Sequence, residues 1–153
     1  MSASAQNPEA TLSRLSELAE HALQRCRALG ADQAEVGAHE ESGLAVNVRM
    51  GEVETVEHTR DRGLSITVYV GGRKGSASTA DLDPASIETS VQQACAIARH
   101  TEADPCAGLA DAERMAREFP DLDLWHPWAL PADAAIELAL ACEAAGRAVD
   151  PRL

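Results

Sequence analysis

The stretch Ala38-His39-Glu40-Glu41-Ser42-Gly43-Leu44 is the closest this sequence comes to metal-peptidase chemistry. A zinc-peptidase motif H-E-x-x-H works because two His four residues apart share one helix face and one zinc, with the Glu beside them as base. Here the position four after His39 is Gly43, and the next His is His58. Ala34, Val36 and Ala38 alternate with Gln33, Glu35 and Gly37, which is a strand period, and Glu41-Ser42-Gly43 has turn chemistry. His39 and Glu40 therefore read as solvent-side strand residues. His21, His39, His58, His100 and His126 place no two imidazoles at ligand spacing on one predicted element. No metal ligand, catalytic residue or cofactor-binding residue is assigned on these grounds.

The loop Val70-Gly71-Gly72-Arg73-Lys74-Gly75-Ser76 is rich in Gly and carries a Lys. A phosphate-binding P-loop needs G-x-x-x-x-G-K-S/T between a strand and a helix. Lys74 comes before Gly75 and the loop joins two predicted strands, so it reads as a hairpin turn with basic flanks. Ser76, Ser78 and Thr79 lie on a strand of small residues with no base or orienting group nearby, which a nucleophile would require. Small side chains there let a helix, a second sheet or a bound peptide approach the backbone. Ser76 and Ser78 are thus candidates for a strand edge that holds substrate. Acidic pairs such as Glu40-Glu41, or Asp121 with Asp123, read as solvated surface.

Composition narrows the function classes. The 153 residues suffice for one sizeable core or two small ones, and 45% are hydrophobic. Tyr69, Phe119, Trp125 and Trp128 are the aromatics, so the core must be aliphatic. The net charge of -12 repels phosphate backbones and anionic lipid, which argues against a nucleic-acid or membrane partner. Cys26, Cys95, Cys106 and Cys142 form no C-x-x-C pair and no apolar leader precedes them, so free thiols in the cytoplasm are expected.

The elements that would position these residues follow from punctuation and period. Asn7-Pro8-Glu9 has the form of an N-cap, a Pro in the first turn and a favourable acid. Leu12, Leu15, Leu18, Ala22, Cys26 and Leu29 recur at helical spacing, and Gly30 ends the helix. Five strands are expected, over 33–40, 44–49, 52–58, 64–70 and 73–79, with tight turns at Met50-Gly51 and Gly71-Gly72. Turns are also expected at Glu41-Ser42-Gly43 and at Arg60-Asp61-Arg62-Gly63. Asp83-Pro84 caps a second helix, and a third runs over 131–149. Between them, 102–130 is long, acidic and Pro-containing; a loop of that length is usually functional or held by a neighbour. Trp125 and Trp128 flank His126-Pro127 there, an arrangement that docks a loop by its aromatics onto its own core or onto a partner. The fold class is α+β: a helix packed on an antiparallel meander, followed by further helices. Two regions are expected, 1–81 with the sheet and 82–153 with the helices and the acidic loop.

The series in order is G-A-D-Q-A-E-V, R-M-G-E-V-E-T-V-E, R-G-L-S-I-T-V-Y-V-G-G-R-K-G-S-A-S-T-A-D-L, D-L-D-L-W-H-P-W-A-L and E-A-A-G-R-A-V-D-P-R. It resembles the N-terminal part of the TldD/PmbA family, and D-L-D-L-W-H-P-W resembles the PmbA (TldE) branch more than TldD. The resemblance implies a cytoplasmic metallopeptidase system that cleaves unfolded peptides, associated with microcin maturation and, in name, with modulation of DNA gyrase. It further implies a TldD-like partner subunit that holds the zinc in an HExxxH motif. The resembling region lies upstream of that motif, so no catalytic residue carries over. The alternative of a different class is a stand-alone acidic module that binds a basic protein through 102–123, with Trp125 and Trp128 as anchors.

Overall fold

A computed structural model describes residues 8–150 and 152. The order is α1 (Pro8–Ala28), β1 (Gln33–Arg49), β2 (Glu52–Val70), β3 (Arg73–Thr79), α2 (Pro84–His100), a short 3-10 turn (Ala112–Arg114) and α3 (Ala132–Val149). The three strands form one antiparallel meander in the order β1-β2-β3. The α+β class read from the sequence is the class observed. The N-cap expected at Asn7 lies outside the described residues.

The end of α1 shows why Gly30 stands there. Gly30 has φ +89°, its N–H donates to the Arg27 carbonyl, and the Ala31 N–H donates to Cys26 five residues back. These two bonds satisfy carbonyls that the helix leaves open, and they require a left-handed residue. At α2 the Asp83 carboxylate accepts from the Ala85 N–H at 3.1 Å, and Pro84 occupies the first turn as expected. Both tight turns have two left-handed residues, Met50 (φ 54°) with Gly51 (φ 80°), and Gly71 (φ 58°) with Gly72 (φ 73°). That is the twist a two-residue hairpin needs.

The expectation of five strands is corrected. Two long strands, β1 and β2, run through both of the segments read as turns, 41–43 and 60–63. In an antiparallel ribbon each strand supplies the other's backbone partners, and this outweighs the local turn preference of Ser, Asp and Gly. The alternation of β1 continues through the break: positions 34, 36, 38 and 40 are half-buried, as are 44, 46 and 48. Gly63 serves packing rather than a turn, since a Cβ on it would meet Cε1 of His39 at 2.7 Å.

The chain divides into two compact units. Among the described residues, one comprises 8–40 and 62–122: α1, the first part of β1, the second part of β2, β3, α2 and the acidic loop as far as 122. Its core is aliphatic, as composition required. Leu64, Ile66 and Val68 from one face of β2 meet Leu15, Ala22 and Cys26 of α1 and Ile87, Val91, Ala94, Cys95 and Ala98 of α2. α2 lies on β3 at backbone contact, because a Cβ on Gly75 would sit 2.1 Å from the Ala94 carbonyl oxygen and 2.5 Å from the Ala98 nitrogen. Arg25 on α1 and Glu88 on α2 join the helices by a bidentate pair at 2.7 and 2.9 Å. The second unit comprises, among the described residues, 41–61, 123–150 and 152: the hairpin arm closed by Met50-Gly51, the end of the acidic loop, and α3. No residue of α3 is fully buried.

Candidate functional site

The residues that first suggested chemistry take structural places. The Glu40 carboxylate accepts from the Arg14 guanidinium of α1, and the His39 ring lies over Gly63. Among the described residues no group of three or more His, Cys, Asp or Glu is arranged to hold a metal ion. The donor set described does not fit a zinc site, and no step is routed through a metal here. Cys26 and Cys95 are buried in the core; burial pushes the Cys26 thiol up to about 11 and raises Cys95 as well. High thiol pKa values deny these two the thiolate that reactive cysteines need. Cys106 and Cys142 are exposed.

The small-residue strand resolves into two faces with different roles. Gly75 and Ala77 face the helices, while Ser76 and Ser78 are exposed on the opposite face. Ser76 Oγ lies 3.1 Å from Thr67 Oγ1, its cross-strand partner. The register sets the edge. Val70 pairs with Arg73 across the two-residue loop, so 70/73, 68/75, 66/77 and 64/79 are the mutually bonded pairs. The backbone N–H and C=O groups of Lys74, Ser76 and Ser78 therefore point away from β2, to the outer edge of the sheet. At the start of this edge the Gly72 carbonyl is already taken by the Asp104 N–H at 2.8 Å.

That bond is also what holds the acidic loop. Its second tie is the Gln33 side chain, which accepts from the Leu109 N–H at 2.8 Å. Gln33, Leu109, Asp111, Met115 and Arg117 line an open depression of about 550 Å³ beside it. Trp125 and Trp128 do not enter a core: their exposures are 56% and 72%. Trp128 instead forms part of an open groove of about 380 Å³ with Leu130, Leu44 and Val46 of β1, and Leu138 and Cys142 of α3.

Two carboxylates that sequence reading missed secure the hairpin turns. Glu143 accepts from the Met50 and Gly51 N–H groups at 2.6 and 2.8 Å, and Asp32 accepts from the Gly71 N–H at 2.7 Å. In each case an anion sits in the concavity made by turn N–H groups, a favourable pairing. Glu143 lies more than ninety residues from its partners, so no local pattern signals it.

A helix packed on a three-stranded antiparallel meander, with a second helix against the last strand, defines an α+β domain without a described metal site. Residues 34–98 match PmbA/TldA metallopeptidase domain 1, and the chain belongs to the PmbA/TldD family as its N-terminal portion. It is 51% identical over 122 residues to the metalloprotease PmbA of Escherichia coli O157:H7, covering 80% of this chain and 27% of that one. It is 47% identical over 120 residues to the Haemophilus influenzae homolog of that protein, covering 78% and 27%. The chain thus spans about a quarter of the length of the curated relatives it matches. Among solved structures, a Bacteroides thetaiotaomicron protein whose name provisionally makes it a modulator of DNA gyrase superposes with TM-score 0.74 at 29% identity, over 82% of this chain and 29% of that one. TldE from Thermococcus kodakarensis shares the fold, with TM-score 0.67 at 15% identity over 88% and 30%. No helix among the described residues is long and apolar enough to cross a membrane.

Proposed function

We propose that this chain is the non-catalytic N-terminal region of a PmbA/TldE-like subunit, working in a cytoplasmic metallopeptidase assembly with a TldD-like subunit. The observation that carries this reading is the 51% identity over 122 residues to a metalloprotease PmbA. In this reading the zinc belongs to the TldD-like subunit, and the substrate is an unfolded peptide. Microcin maturation would be one use of that cleavage. Any link to DNA gyrase would run through protein, since a chain of net charge -12 repels DNA.

The contribution of this region is to guide substrate. An extended peptide adds to a sheet edge by main-chain hydrogen bonds, which tolerate many sequences. Lys74, Ser76 and Ser78 offer such bonds on β3. Ser76→Pro tests this cleanly, because the Ser76 N–H points outward and its loss leaves the β2–β3 ladder intact. In the assembly with its TldD-like subunit, the variant should lower kcat/KM for an unfolded peptide by about tenfold, roughly the worth of one or two hydrogen bonds. Unchanged cleavage would remove the edge from the reading.

The exposed Trp125 and Trp128 favour a second reading, a stand-alone acidic module that binds a basic protein. The mass of the native polypeptide, detected in its source cell with an antibody to this chain, separates the two. A product several times longer supports the subunit; a product of 153 residues supports the module.

A further inference from the structure

We draw no further inference here: the strongest candidate, the surface patch where the exposed Ile97 of α2 stands beside β3, adds only one apolar side chain to the strand edge already assigned to substrate, and nothing in the structure shows what covers it.

Discussion

The same two long strands serve two units that end differently. Around Leu64, Ile66 and Val68 the sheet is sealed: two helices cover it, Gly75 brings α2 to backbone contact, and Arg25 clamps α1 to Glu88. Around Leu44 and Val46 the ribbon meets one helix, α3, whose outer stripe stays open together with Trp125 and Trp128. The sealed unit carries its stability internally. The open unit leaves large apolar side chains exposed, Leu138, Trp125, Trp128 and Val149 among them.

Substitutions can break that contrast. The largest effect is expected at Ile66, fully buried in the sealed unit, where Ile66→Ala should destabilise by about 3–4 kcal/mol in urea unfolding. Gly75→Ala should follow, at about 2–3 kcal/mol, because its Cβ would drive into the α2 backbone. At the other extreme, Trp128→Ala should change stability by less than about 0.5 kcal/mol, although it removes the larger side chain. If Trp128→Ala cost as much as Ile66→Ala, the second unit would be closed and the contrast would fail.

The clamp adds a pH dependence confined to the sealed unit. Hydrogen bonds from Arg25, then Gln92, hold the Glu88 carboxyl at about 2, below its ordinary 4.5. A depressed carboxyl contributes stability above its unfolded value and loses it as pH falls through the folded one. The contribution should be complete above about pH 4.5 and gone near pH 2. Arg25→Ala should therefore lower the urea midpoint at pH 6, with the difference from the parent shrinking across that window. A difference independent of pH would show that Arg25 acts through the packing of its alkyl chain.

Much of the frame was legible because it depends on neighbours in the chain. Asp83-Pro84 caps its own helix, Gly30 closes its own helix, and Met50-Gly51 and Gly71-Gly72 bend their own hairpins. The merger of five expected strands into three was not legible. Glu41-Ser42-Gly43 and Arg60-Asp61-Arg62-Gly63 carry real turn preference, and only pairing with a distant strand overrides it. The small residues of β3 announced a close approach without naming the visitor, which proved to be α2 at Gly75.

By itself, then, the sequence determined the class of fold, the aliphatic core, the two tight turns at Met50-Gly51 and Gly71-Gly72 and the acidic surface, since these follow from residue type, spacing and bonds within a few residues. Tertiary structure decided that Gly63 makes room for His39, that Glu143 secures the Met50 turn, and that Trp125 and Trp128 stay in solvent. Each of those is a matter of which remote surfaces meet, and burial is a property of the assembled chain that no local pattern encodes.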